Sequence, residues 1–291
     1  MDTQTQPMGS ATSSTVIGQT FLRVASAGAT DRGRVRENNE DQFVIAELTR
    51  AMHIQASSLP QSAMLFGDSR VRGHLFIVAD GMGGHKGGEE ASALAIVSIE
   101  DFLLRALHWF FRLQGDAVLN EFQTALRAAD ERIFAEAQQR PGLRGMGTTV
   151  TVAYVVGKML YVAHAGDSRL YLLRNGALHQ LTQDHTLVGE LVRNKVIDPE
   201  AASQHPMRNV ITNSVGGDKL GVQPEVNRLA LASGDTLLVC SDGLSEMVKD
   251  TEIAEILARE EDPQRASDLL VVRANENGGT DNITAVVARF Y

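Results

Sequence analysis

The sequence predicts an α+β fold: two antiparallel sheets stacked face to face with amphipathic helices over their outer faces, a four-layer α-β-β-α sandwich. Three observations carry this expectation. Strand-like runs alternate with Asp-Gly, Gly-Asp and Asn-Gly words, two pairs of segments have helical character, and the order of elements is too irregular for a wound βαβ series.

Along the chain, residues 21–28, 42–47 and 74–79 read as the first three strands, with Asp80-Gly81 closing the third. A helix is expected within 89–113, where Ala91, Leu94, Ala95, Ser98, Phe102, Ala106, Trp109 and Leu113 recur three and four apart. A second gathers Leu119, Phe122, Leu126, Ala129 and Ile133 on one face and stops before Pro141-Gly142. Residues 148–156, 158–165, 168–174 and 177–181 form a dense β region whose hairpins turn at Gly157 and Asn175-Gly176, positions that tolerate positive φ. A helical piece broken at Pro199 follows within 184–206, then strands at 225–232, 235–241 and 282–290 and helices at 251–259 and 263–275. One domain is expected over 20–291, with a disordered leader at 1–19, an enlarged 25-residue connection at 49–73 and a flap at 187–207.

Hydrophobic residues at 43% and charged residues at 22% place the 291-residue chain among folded globular proteins that need no disulfide or metal staple. A formal net charge of −9 argues against a general nucleic-acid binder. Apolar runs reach only five residues, too short for a membrane span, and the first twenty residues hold eleven Ser, Thr or Gln and no Lys or Arg, unlike a signal peptide. The single cysteine, Cys240, forms no internal disulfide, which makes the cytoplasm the expected compartment.

Several chemistries are excluded. Gly157-Lys158 is followed by Met159, so there is no P-loop, and neither Gly81-Met82-Gly83 nor Gly145-Met146-Gly147 completes a dinucleotide fingerprint. The histidines show no HExxH, and one cysteine makes no multi-Cys zinc site. Glu246 stands six positions after Cys240, where a thiolate phosphatase needs arginine, and no two aspartates lie two residues apart as an aspartyl-phosphate enzyme requires. Bound metal should therefore meet oxygen ligands.

Asp41, Asp80, Asp167, Asp242 and Asp281 all fall at the ends of expected strands. Each alone is an ordinary turn residue. Brought to one rim they repel one another unless a cation such as Mg²⁺ or Mn²⁺ offsets them, and Gly81 and Gly243 would let backbone approach that ion.

The words around them are Arg36-Glu37-Asn38-Asn39-Glu40-Asp41, Asp80-Gly81-Met82-Gly83-Gly84-His85, Gly145-Met146-Gly147-Thr148-Thr149, Gly166-Asp167-Ser168-Arg169, Ser241-Asp242-Gly243-Leu244 and Asp281-Asn282-Ile283-Thr284. With 181–186 and 209–217 they stand in an order that resembles the metal-dependent protein phosphatases, the type 2C serine/threonine family, and more closely its bacterial branch. The resemblance implies that Asp80 bridges two Mn²⁺ or Mg²⁺ ions, that the Gly81 carbonyl touches one, and that Asp242 and Asp281 complete one ion's protein ligands. Asp41 would lie near the other, with Glu40 holding waters. Arg36 would bind the substrate phosphoryl group, Asp167 with Asp242 would hold a third, weaker metal, and Asn282 would support the site. Two cations bridging a water lower its pKa toward about 7, and the hydroxide attacks phosphorus in line while the metals and Arg36 offset charge.

The implied activity is hydrolysis of phosphoserine and phosphothreonine on proteins by a monomer that opposes a cytoplasmic serine/threonine kinase, with no nucleic-acid or membrane partner. A phosphoprotein-binding pseudophosphatase and a small-molecule phosphoester hydrolase are the alternatives; intact Asp80, Asp242 and Asp281 favour an enzyme. Met82 departs from the histidine of eukaryotic members, which leaves the leaving-group acid unassigned, and nearby His85 is kept outside the catalytic set. Gly67-Asp68-Ser69-Arg70 repeats a later word inside 49–73 and reads as a turn. In bacterial relatives 187–207 corresponds to a mobile flap, where Arg193 and Lys195 are expected to shape selectivity beside Asp167.

Overall fold

A computed structural model of the chain describes residues 22–49, 72–83, 87–110 and 115–291. The expected leader, most of the 49–73 connection with Asp68, and His85 lie outside those residues. One sheet joins β1 (Val24–Asp31), β12 (Ile283–Phe290), β11 (Thr236–Cys240), β7 (Arg169–Arg174) and β8 (Ala177–Gln180), in that order. The other runs β10 (Glu225–Ala230), β6 (Met159–Ala165), β5 (Val150–Val156), β3 (Arg72–Met82), β4 (Gly147–Thr148) and β9 (Val215–Gly216), and β2 (Asp41–Thr49) also pairs with β3. The pairings are antiparallel throughout.

Helices α1 (Gly87–Phe110) and α2 (Asp116–Gln139) pack on the second sheet. The one-turn α5 (Asp242–Ser245), α6 (Asp250–Arg259) and α7 (Pro263–Glu276) pack on the first, which completes the predicted four layers. Short α3 (Leu187–Arg193) and α4 (Pro199–Ser203) lie in the connection from β8 to β9. Among the described residues no helix is long and apolar enough to cross a membrane.

The period-two alternation of the strands sorts their side chains into two layers. In β3, Leu75, Ile77 and Ala79 face the helices, while Phe76 and Val78 face the opposite sheet. Leu237 and Val239 of β11 and Val286, Ala288 and Phe290 of β12 meet them there. Followed toward one end of the sandwich, the same inward parity passes from apolar to polar residues. Phe43 gives way to Asp41, Val78 to Asp80, Val239 to Ser241 and Val286 to Thr284. The inter-sheet core thus opens into a polar end, and the strands themselves carry the carboxylates to it.

The boundaries differ from expectation where backbone pairing continues past an apparent turn word. Asp80-Gly81 does not close its strand: β3 extends to Met82 because Gly81 pairs with Thr148 and Met82 with Gly147. The expected strand at 148–156 is split at Thr149, whose N–H donates to the Asp80 carbonyl instead of continuing a ladder. Pro199 opens α4 at a position where its missing N–H is harmless. Asn175 and Gly176 take the positive φ values of 52° and 79° that the hairpin requires.

One buried acid has no strand-end signature. Asp130, 3% exposed on α2, accepts the N–H groups of Gly216 (2.6 Å), Gly221 (2.9 Å) and Val222 (3.1 Å). It holds the loop behind β9, hence β4 and the Gly81 end of β3. Replacing one carboxylate oxygen by an NH₂ group sets donor against donor. Asp130→Asn should therefore lower the unfolding free energy by about 2–4 kcal/mol, measured by urea denaturation, and an unchanged midpoint would contradict the clamp.

Candidate active site

An open cleft of about 610 Å³ lies at the polar end of the sandwich. The β1–β2 loop supplies Val35, Arg36 and Glu40, β3 supplies Asp80, Gly81 and Met82, and Asp167, Asp242, Asp281 and Asn282 come from the first sheet's edge. Asn209 and Ile211, from the end of the β8–β9 connection, also line the cleft. Asp41 stands behind this lining, 2% exposed, as the direct cross-strand partner of Asp80. All nine positions expected from sequence are therefore at or immediately behind one cleft.

Each is held by local chemistry. Asp41 Oδ2 accepts the hydroxyls of Ser241 (2.7 Å) and Thr284 (2.7 Å). Behind Thr284 stands Thr30 (2.8 Å), itself bonded by Asn39 Nδ2 (2.8 Å), so a hydroxyl chain backs the carboxylate. The Asp80 carbonyl accepts Thr148 Oγ1 (2.8 Å) and Thr149 N (2.8 Å), and its N–H donates to Thr149 Oγ1 (3.0 Å). Asp242 is the first residue of the short α5, which turns immediately after β11. A Cβ on Gly81 would overlap the Gly88 carbonyl at the start of α1, so only glycine lets helix and strand meet here.

Asn282 is the tether of the Arg36 loop. Its Nδ2 donates to the carbonyls of Arg32 (2.9 Å) and Asn38 (2.8 Å), and its Oδ1 accepts the Glu40 N–H (2.7 Å). Arg36 reaches across the cleft to Asp281 Oδ2 at 2.5 Å while its side chain stays 54% exposed, within reach of an incoming anion.

The model for "Protein phosphatase 2C" matches residues 50–271 of the chain. The "Serine/threonine phosphatase stp" of Listeria monocytogenes serotype 4b is 34% identical over 258 residues, which cover 89% of this chain and 92% of that protein. The chain belongs to the protein phosphatase 2C family. Among solved structures, serine/threonine phosphatase Stp1 from Staphylococcus aureus superposes with a TM-score of 0.76 at 30% identity, covering 94% of this chain and 97% of that one. The catalytic domain of the phosphatase PstP, in complex with two manganese ions, does so with a TM-score of 0.72 at 34% identity, covering 93% and 99%.

Like the manganese-bound member of its family, this chain offers a donor set suited to hard cations. Asp41 Oδ1, Asp167 Oδ1 and Asp242 Oδ1 are buried without a hydrogen-bond partner, three carboxylate oxygens aimed where no protein donor meets them. Such orphaned acceptors are costly unless a cation or proton satisfies them. Burial, reinforced by the neighbouring carboxylates, pushes Asp80 and Asp242 well above the usual carboxylate range. Burial raises Asp41 to about 6 even though Ser241 and Thr284 oppose it, and raises Asp167 to about 7 with help from Asp184.

Carboxylates with raised pKa values retain protons near neutrality, and a cation must displace those protons to bind. Manganese binding at pH 6.5 should therefore release protons, and fewer of them as pH rises. Titration calorimetry in buffers of different ionisation enthalpy reads this directly. A binding enthalpy independent of buffer would mean that the carboxylates are already ionised.

Proposed function

We propose that the chain hydrolyses phosphoserine and phosphothreonine on proteins, with divalent cations held by Asp80, the Gly81 carbonyl, Asp242 and Asp281, and with Asp41 and Glu40 behind them. The observation that carries this reading is the convergence of five aspartates, three with orphaned oxygens, on a cleft crossed by one exposed arginine. The manganese ions of the PstP relative support Mn²⁺ or Mg²⁺ as the cation, and Asp167 with Asp242 suits a third, weaker site.

Among the described residues, the cleft lining holds no serine, threonine, cysteine or histidine. Cys240 is fully buried, and burial pushes its thiol up to about 12. Ser241 is equally buried and donates its hydroxyl to Asp41. Attack therefore falls to water. When bound, the cations supply Lewis acidity, lowering the pKa of water and offsetting charge on the phosphoryl oxygens. Arg36 binds the phosphoryl group with a charge-assisted fork, and Asn282 keeps its loop in register. Met82 lines the cleft but has no proton to give the departing alkoxide.

The substrates are proteins phosphorylated by a serine/threonine kinase, and the enzyme acts as a monomer in the reducing compartment suggested by its lone cysteine. The 187–207 segment is read as the flap that selects among them. Its Arg193 is anchored at the root, where Nη1 donates to the Asp184 carbonyl (2.8 Å), yet stays exposed, and with exposed Lys195, Val196 and Met207 it is the surface on which selectivity falls.

Asp80→Asn and Asp242→Asn should each lower turnover of a phosphothreonine peptide roughly a thousandfold or more, since each removes a charge from the cation site. At alkaline pH, where the carboxylates ionise, the metal-free fold should keep or gain stability, because a repelling charge is gone. Phosphopeptide binding with no turnover even in the manganese-loaded wild type would instead favour a pseudophosphatase. Arg36→Ala should raise KM and lower kcat/KM by about tenfold or more, with Arg36→Lys only partly restoring it. Wild-type kcat/KM in Arg36→Ala would place the arginine outside the reaction.

A further inference from the structure

His185, in the 181–186 word to which the reaction above gives no part, lies where three segments meet. Its N–H donates to the Gly166 carbonyl (2.8 Å), and its own carbonyl accepts from Thr212 (2.8 Å). Its ring Nδ1 faces two donors, Gly166 N (3.1 Å) and Asn213 Nδ2 (3.2 Å). The Asn213 amide has no freedom to flip, because its Oδ1 accepts from Gln223 N (3.0 Å) while its Nδ2 also donates to the Gln223 carbonyl (2.8 Å). Nδ1 must therefore be an acceptor, and the proton of the neutral ring sits on Nε2, 3.8 Å from Glu225.

His164 stacks on this ring with centroids 4.9 Å apart. Its Nε2 faces the Gly166 (3.0 Å) and Gln183 (3.2 Å) carbonyls and must donate, leaving Nδ1 to accept from Thr151 (2.9 Å). His164, His185 and Glu225 come close enough to suggest a second metal centre, but neither histidine has a free lone pair for an ion.

We infer that His185 is a positioning residue that joins the Asp167 turn to both stems of the 187–210 segment through a ring nitrogen that serves only as an acceptor. The stems themselves meet where Leu187 N bonds the Val210 carbonyl (2.9 Å) and Thr186 bridges Ile211. Protonating Nδ1 would set an N–H against two others, so the Asp167 turn and both stems loosen together. The charged groups facing the ring do not relieve this. Asp184 and Glu190 attract a charged ring and Arg193 opposes it. Glu225 stands on the Nε2 side, and none of the four offers Nδ1 an acceptor.

In the opened form the ring is solvated and takes up protons with its ordinary pKa of about 6.5. The folded ring resists protonation, because burial and then Arg193 hold it lower. Stability of the closed arrangement is thus complete above the ordinary value and declines as pH falls below it, with the open population rising up to about tenfold per pH unit.

Backbone amide exchange on the manganese-loaded enzyme tests this, read at Gly166 and across 184–213 between pH 7.5 and 5.5 and corrected for intrinsic rates. The wild type should lose up to about fivefold in protection between pH 6.5 and 5.5. His185→Asn places an oxygen where Nδ1 stood, accepts both donors and does not titrate, so its protection should stay flat. His185→Ala should lose protection at every pH, with β11 and β12 unaffected. A pH response in His185→Asn equal to the wild type, or wild-type protection at Gly166 in His185→Ala, would overturn the inference. The link to catalysis rests on the proposed role of Asp167: if exchange behaves as expected but the weakest manganese-binding step is unaltered in His185→Ala, that role fails and the positioning role stands.

Discussion

Asp41 and Asp80 face each other across one antiparallel pair, two like charges placed where the inter-sheet layer runs out of apolar side chains. Directly opposed carboxylates destabilise a sheet, and much of the polar chemistry nearby is arranged around that conflict. Ser241, Thr284 and Thr30 spend their hydroxyls on Asp41, while Thr148 and Thr149 fix the Asp80 backbone. The conflict is affordable because three apolar layers, two under helices and one between sheets, support it from below. A divalent cation held between these carboxylates would offset their charge.

The parts of this design written locally are legible in the sequence. Alternating runs such as Phe76, Val78 and Asp80 give both the strand and the face of its terminal acid, and amphipathic spacing gives α1, α2, α6 and α7. The in-and-out alternation also reaches Ser241 and Thr284, although only their contact with Asp41 gives them a role. Other parts have no local sign. Gly166, His185 and Asn213 meet across separations of 19 and 28 residues, and Asp130 lies 86 residues from the first amide it holds. The two-residue strands β4 and β9 carry no periodicity at all and exist because each completes the edge of a neighbour.

The residues that would serve as nucleophiles in other phosphatases are here absorbed into structure. Cys240 packs on the helix side of β11, next to Ser241 on the cleft side, and neither reaches solvent. Alternation along one strand thus separates a core thiol from a hydroxyl that orients a carboxylate, while the next residue, Asp242, reaches the cleft. Three consecutive positions serve core, support and site in turn.

The two stems of the 187–210 segment are stapled to each other at the Thr186–Ile211 bridge before they enter the sandwich. Loop-closure entropy then depends only weakly on how many residues the excursion contains, and the sheets register nothing beyond its two anchored ends. Such an excursion is a replaceable cassette. Changes of length within it should cost the aspartate frame little provided the Thr186–Ile211 staple and the cleft-lining Asn209 are kept, so one reaction centre can carry different recognition surfaces.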